Sequence, residues 1–501
     1  MPLSITQLNW RAFLTGAGLL GLFVIFLAFI QFSTPNLISV DGYFHIKFAQ
    51  VMREQGLRPP FPWLPLTILN PNDYVDHHFL YHVLLIPFTY GDLRIGAKWA
   101  GVIFPALAFL AGWLFLRGQR VAYAALWSLG FLAIADGFLY RLSMPRVQAV
   151  SLLMMFLILH VTFTHRYHWL LPLTFTYVWL YDAFPFVVFI VGIYTVNHWL
   201  LDRQLNVRPL LYVGVGIGLG LLINPYFPRN IIYIWHHWLP KLSETSAGVG
   251  NEWSPYQTWT LVEHAAPALL AFIAGAFALA LSQRRVNSRA ATLFWITILF
   301  GLLLFKSRRF IEYYPAFALL FCALAWSSLL EEWLPAKPWL NKLTPIALIL
   351  LLLPALWLNF EATQESFQNS KPYQRYAAAA AWFKANTPPG SRIYQTDWDD
   401  FGPLFFYNSQ NSYTLGLDPT YMQLYNADLY DLWVAISRGW VTVPSQVITA
   451  TFGANYILTD IDHESFLLNA RADPCLEEVH RDDYTIIFRV RDQTGSSQSK
   501  E

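Results

Sequence analysis

Asp41 follows the long apolar run Ala12 to Phe32 and opens the stretch Asp41, Gly42, Tyr43, Phe44, His45. A carboxylate at the mouth of a membrane span, with Asp73, Asp76, His77, His78 and His82 in the same loop, supplies the donors of an acid/base or metal site at a bilayer surface. If a helix continues from Asp41 through Val51, Asp41 and His45 sit one turn apart on a shared face. Asp76, His77 and His78 offer oxygen and imidazole ligands that would complete, with Asp41, a site for a divalent cation such as Mg or Mn. The plainer alternative is a solvated loop in which Asp41 only caps a surface helix.

A second chemical cluster, Lys306, Ser307, Arg308, Arg309, Phe310, Ile311, Glu312, Tyr313, lies between two apolar runs. Arginine at such a depth suits an anion, because its planar fork binds phosphate oxygens in pairs; a lipid phosphate or diphosphate fits, and snorkelling to headgroups is the alternative. Between the two clusters, Asn251, Glu252, Trp253, Ser254, Pro255 form a polar patch in a long loop that could move over a site. Glu252 either touches substrate or metal there or is an ordinary loop acid. Asp136, Arg141 and Arg146 could flank the same cavity, while Asp182 reads as a turn. Near the C-terminal region, Asp397, Trp398, Asp399, Asp400, Phe401, Gly402 follow a strand, a place where ligands meet α/β domains, although capping by Asp399 or Asp400 explains part of the pattern.

The elements that must carry these residues are mostly membrane helices. With 55% hydrophobic and 13% charged residues the chain falls outside the soluble globular class, in which charged residues approach a quarter. Apolar windows between Ala12 and Asn359 give about eleven spans, necessarily helical because lipid tolerates no unpaired backbone. Phe79 to Phe88 is too short to cross and lies at the surface or leads into the next span. A net charge of +1 argues against nucleic acid as a partner, and two cysteines build neither a disulfide framework nor a zinc site. The first span lacks a cleavage site and reads as a retained anchor.

Basic residues Arg11, Arg117, Arg120, Arg166, Arg203, Arg208, Arg284, Arg285, Arg289, Lys337 and Lys342 fall in alternate loops, which makes that side cytoplasmic and puts every chemical cluster on the other. Residues 1–360 thus read as a membrane module and 361–492 as an external soluble α/β domain, with 493–501 a disordered tail. In that domain the pattern predicts helices at Ala377 to Ala385, Pro403 to Tyr407, Asp428 to Ser437 and Ser445 to Thr451. It predicts strands at Arg392 to Gln395, Tyr456 to Thr459, Glu477 to His480 and Thr485 to Val490.

In this arrangement the chain resembles the GT-C membrane glycosyltransferases, and within them the catalytic subunits of oligosaccharyltransferases. Trp398, Asp399, Asp400, Phe401, Gly402 is similar to that family's W-W-D-Y-G motif, with Asp for the second Trp and Phe for Tyr. Arg309, followed by Phe310 and Tyr313, looks like the arginine that contacts the lipid-linked phosphate. Asp41 resembles the acid of the first external loop and Glu252 that of the mobile loop. The family's paired acids of the second external loop have no counterpart, since Arg141 to Val150 contains no acid; a metal would have to draw on Asp76, His77 or His78, or be absent. The altered motif puts peptide N-glycosylation in question.

The resemblance implies transfer of a sugar from a polyprenyl phosphate or diphosphate carrier to a protein, lipid or glycan acceptor at the non-cytoplasmic face of the cell membrane. Asp41 would be the general base or would orient the nucleophile through a cation. Arg309 and Arg308 would neutralise the departing phosphate, with Tyr313, Glu252, Trp398, Asp400 and His45 as further substrate contacts. A monosaccharide transferase acting on a lipid or cell-wall glycan is a second reading, and a transporter or glycan-binding scaffold a third. A transporter, however, needs polar groups at mid-depth in several spans, whereas the charges here gather at one face.

Overall fold

The computed structural model describes residues 10–242, 250–283 and 286–491. Its first two thirds are helical. Among the described residues, seven helices are long and apolar enough to cross a membrane: Trp10–Gln31, Leu93–Gly118, Pro185–Asp202, Thr258–Leu281, Ser288–Lys306, Tyr314–Trp333 and Leu340–Gln368. Each of the eleven apolar windows falls on helix, but not each on a spanning one. Val121 to Ala135 is taken up by a broken pair, Ala124–Leu132 and Asp136–Leu142, bent by 81°. Gln148–Phe163 and Arg208–Leu222 are shorter apolar helices, and Leu170–Leu180 has only 11 residues, about half of what a ~30 Å core requires. Periodicity cannot separate a crossing helix from a buried one of the same composition.

Two helices lie outside this set and shape the site. Val40–Gln55 begins at Val40, after Ser39 in a left-handed conformation (φ 77°), with Asp41 in its first turn. Phe79–Leu85 continues into the turn Ile86–Thr89 and buries Phe79, Tyr81, His82 and Leu85. The segment therefore packs inward against the helix that carries Asp41 before the chain enters Leu93–Gly118.

Among the described residues the C-terminal domain has five strands, β1 Arg392–Gln395, β2 Ser412–Tyr413, β3 Tyr456–Asp460, β4 Leu476–Arg481 and β5 Thr485–Val490, in the order β2-β1-β3-β5-β4. β2, β1 and β3 are parallel, and β5 and β4 add as antiparallel strands. Ile393, Tyr394, Ile457, Leu458, Ile486 and Ile487 are fully buried, as expected of a sheet covered on both faces. Helices form where the sequence places them, at Ala377–Asn386, Phe401–Tyr407 and Ala427–Ser437. Pro444–Val447 passes into a π-turn, Ile448–Phe452, while Thr420–Tyr425, Glu464–Ala472 and β2 carry no clear pattern in the sequence. Helix Leu340–Gln368 runs unbroken past residue 360, and the tail 493–501 lies outside the described residues.

Two glycines set the junction between the parts. A Cβ at Gly42 would sit 2.5 Å from Pro145 Cγ, so only glycine lets the segment before Arg146 lie against the start of Val40–Gln55. A Cβ at Gly402 would sit 2.5 Å from the Val40 carbonyl oxygen, so the helix Phe401–Tyr407 abuts the same helix start from the other side. Phe44 fixes this contact with ring centroids 6.0 Å from Phe401 and 5.7 Å from Phe405. Burying such aromatic faces stabilises the junction by about 1.5–3 kcal/mol per ring.

Candidate functional site

Between the helix start at Asp41, the loop at Glu252, the turn at Arg309 and the strand-end loop at Trp398 lies a hollow of about 600 Å³. Asp41 and Arg309, far apart in the chain, both line it, together with His45, His77, His78, Glu252 and Trp398.

Its floor is a network of ions. Arg309 donates from Nη1 to Glu252 Oε1 at 2.9 Å and from Nη2 to the Tyr181 hydroxyl at 2.7 Å, and its guanidinium lies 5.0 Å over the Trp253 ring. The other oxygen of Glu252 accepts from Arg141 Nη2 at 2.8 Å and from Arg146 Nη1 at 3.4 Å. Arg146 Nε reaches Asp41 Oδ2 at 3.1 Å, and Arg141 Nη2 lies 2.6 Å from Glu312 Oε1. Burial alone would push the Glu252 carboxyl up, but Arg309, Arg146 and Arg141 together hold it well below the usual carboxylate range. The Glu252 loop is pinned to the arginine turn by Ser307 Oγ donating to the Glu252 carbonyl at 2.8 Å and by the Arg308 amide donating to the Ser254 carbonyl at 3.0 Å. Three guanidiniums therefore converge on one loop carboxylate, while Asp41 keeps 29% of its side chain exposed to the hollow.

The structure leaves four of the expected residues outside the hollow. Asp76 is buried with both oxygens engaged, Oδ1 by the His78 amide at 3.0 Å and Oδ2 by His82 Nδ1 at 2.7 Å, and it neither lines the hollow nor falls in a close group of metal-ligating side chains with Asp41. Arg308 turns outward, its Nε donating to the Pro255 carbonyl at 3.2 Å and its guanidinium 5.3 Å over Tyr256. Tyr313 is 3% exposed and lies inside the bundle, its hydroxyl 3.0 Å from Ser151 Oγ. Asp400 is 2% exposed and bonded by the Tyr376 hydroxyl, which leaves Trp398 and Asp399 of that motif to face the hollow. Of the flanking residues, Arg146 lines the hollow, while Asp136 pairs with His264 Nδ1 at 2.7 Å. Tyr181, Asp182 and His237 also line it, with His237 Nε2 2.7 Å from Asp182 Oδ2. Asp182 lies in the turn that the sequence places there, whereas Tyr181 and His237 carry no local sequence signal, because the segments that hold them meet only in the fold.

Among the described residues, Asp397, Asp399 and Asp400 form the one group of three or more metal-ligating side chains whose donor atoms all lie within 4.8 Å of one another. Burial, then the neighbouring Asp397, pushes the Asp399 carboxyl up to about 7, and Asp400 Oδ2 is buried with no partner. An all-carboxylate set with an orphaned oxygen fits a hard divalent cation.

The backbone as a whole can be set against solved structures. The oligosaccharyltransferase of Archaeoglobus fulgidus in the apo form superposes with a TM-score of 0.66 at 13% identity, over 91% of this chain and 71% of that one. ArnT from Cupriavidus metallidurans bound to undecaprenyl phosphate gives 0.56 at 15% identity over 94% and 97%. The arabinofuranosyltransferase AftD from Mycobacteria gives 0.58 at 14% identity over 98% and 40%. The fold is that of the GT-C glycosyltransferases. The archaeal oligosaccharyltransferase has also been solved in complex with an inhibitory peptide and a dolichol-phosphate. No family model matches the sequence, and no curated protein matches it. At these identities the likeness speaks for the fold alone.

Proposed function

We propose that this protein is a membrane glycosyltransferase that moves a sugar or oligosaccharide from a polyprenyl phosphate or diphosphate carrier to an acceptor on the non-cytoplasmic face of the cell membrane. The observation that carries this reading is that Asp41 and Arg309 line one hollow, bounded by the helical part of the chain on one side and the α/β domain on the other. Arg309 binds the carrier phosphate, with Arg146 close by, and offsets the charge that grows on it as the sugar leaves. The phosphate takes the place that Glu252 holds beside Arg309, and the loop at Glu252 closes over the donor once displaced. The apolar groove of about 300 Å³ lined by Leu269, Phe272, Leu302 and Phe305 runs along the helix that leads straight into the arginine turn, and it takes the polyprenyl chain. Asp41 orients the acceptor, and Trp398 forms the opposite wall. A divalent cation, magnesium or manganese, would be held by Asp397, Asp399 and Asp400, where it would brace the loop that presents Trp398.

A monosaccharide transferred to a lipid or glycan is the second reading, favoured by one observation: Asp399 stands where a second indole would stack in a peptide-accepting motif. Purified protein incubated with labelled farnesyl-phosphate-linked sugars and a mixture of peptide, glycolipid and glycan acceptors tests both. Label in any acceptor supports transfer and its identity chooses between the readings; no transfer from any donor refutes the proposal.

A further inference from the structure

Behind the hollow runs a chain of three buried groups that the transfer reaction described above leaves without a role. Asp76, His82 and His45 are 5%, 1% and 5% exposed. His82 Nδ1 lies 2.7 Å from Asp76 Oδ2, and His82 Nε2 lies 2.8 Å from His45 Nδ1. Only His45 reaches the hollow. The rings of Phe48, 5.0 Å from His82, and Phe44, 5.8 Å from it, exclude water from the inner two members.

The bonding fixes the tautomers. Asp76 already accepts the His78 amide with its other oxygen, so a carboxylate there must accept from His82, which carries its proton on Nδ1. With His82 as the neutral ring, its Nε2 has only a lone pair and accepts from His45 Nδ1–H. His45 Nε2 is left as a free acceptor one helical turn from Asp41. We propose that His45 takes the proton from the acceptor nucleophile, with His82 and Asp76 as positioning residues that hold it in the tautomer able to do so. The inference rests on the transferase reading above and names the residue that completes it. Asp41, whose Oδ2 pairs with Arg146, keeps the role of orienting the acceptor.

In the step, the nucleophile's oxygen or nitrogen forms a bond to the anomeric carbon as its proton passes to His45 Nε2. The bond between that carbon and the carrier phosphate oxygen breaks, and the phosphate leaves with the electron pair, held by Arg309. The imidazolium so formed donates through His82 towards the Asp76 carboxylate. Groups facing His45 are Asp41 on its own helix, His82, Tyr81 and His78 from the packed helix and its cap, His77, and Arg146. Burial, then His82 and Arg146, keeps His45 well below the usual histidine range and hence neutral before reaction.

The test uses full-length protein in nanodiscs with the donor and acceptor mixtures named above, comparing His45→Asn, His45→Gln and Asp76→Asn with the wild type. His45→Asn keeps a donor near the Nδ1 position and preserves the bond to His82, so it separates a proton-accepting role from a structural one. The inference expects turnover to fall roughly 10²- to 10⁴-fold in His45→Asn, with unchanged farnesyl phosphate binding and unfolding temperature. Asp76→Asn should lower turnover and move its pH profile without changing donor KM. Full activity in His45→Asn overturns the inference while leaving the transferase reading intact; no turnover by wild type overturns both. Nitrogen-15 histidine NMR of the wild type gives a second reading: Nδ1–H at both His45 and His82 is expected, and Nε2–H at His45 overturns the inference alone.

Discussion

Arg309 and Arg308 are neighbours in sequence with opposite surroundings, and that contrast gives the sharpest mutational test. Arg309 projects into the hollow and makes two charge-bearing hydrogen bonds there, to Glu252 and Tyr181. Arg308 bonds to a loop carbonyl and stacks over Tyr256 on the outside. Hydrogen bonds to charged groups contribute about 1.5–3 kcal/mol each. A phosphate must first displace Glu252, so the net loss expected on Arg309→Ala is about 2–3 kcal/mol, or roughly a 30- to 150-fold weaker Kd. Arg308→Ala should change Kd by less than about 3-fold, the range of an exposed charge screened by salt. Titration of purified protein with farnesyl phosphate, followed by calorimetry, measures both. Equal losses in the two variants would refute the assignment of Arg309 to the phosphate.

Further outcomes follow from the same geometry. Asp41→Asn should remove transfer yet unfold within a few degrees of wild type, since its ion pair with Arg146 is partly exposed; retained transfer in purified protein rejects its role. Gly402→Ala forces a Cβ against the Val40 carbonyl oxygen and should destabilise by about 1–3 kcal/mol. Protease nicking between the two parts of the chain would report the loosened junction, and an unchanged unfolding curve contradicts the close approach. Because the three arginines depress Glu252, its contribution to loop docking is full above the ordinary glutamate value of about 4.3 and is lost only as pH falls well below it. The carbon-13 shift of the Glu252 side-chain carboxyl should therefore stay flat from about pH 8 to about pH 5; a midpoint of that carboxyl inside the window would show that it is not held by three guanidiniums.

Much of the site is legible in the sequence where one element carries the relation. Asp41 and His45 share a face because they are four residues apart on Val40–Gln55, and the Arg309 turn shows itself as charge wedged between two apolar runs. Relations that cross elements are not legible. Arg146 reaches Asp41 only because Gly42 admits Pro145, and Asp76 turns away from Asp41 because His82, six residues on, captures it first. Tyr313 follows Arg309 closely in sequence, but its place at the mouth of helix Tyr314–Trp333 sends the hydroxyl to Ser151 inside the bundle. The sheet is readable for β1, β3, β4 and β5, which run for four residues or more, and not for the two-residue β2, which owes its existence to the neighbouring β1. The apolar windows locate helices well and count membrane crossings poorly, since Leu170–Leu180 is as apolar as a span and half its length.

The most direct test of the central claim is the position of a bound carrier phosphate. In a cryo-electron microscopy structure of the protein with undecaprenyl phosphate, its phosphate should lie about 3 Å from the Arg309 guanidinium, inside the hollow that Asp41 lines, with Glu252 displaced. Phosphate density on the outer face at Arg308, or anywhere that leaves the Glu252 to Arg309 contact intact and the hollow empty, would contradict it.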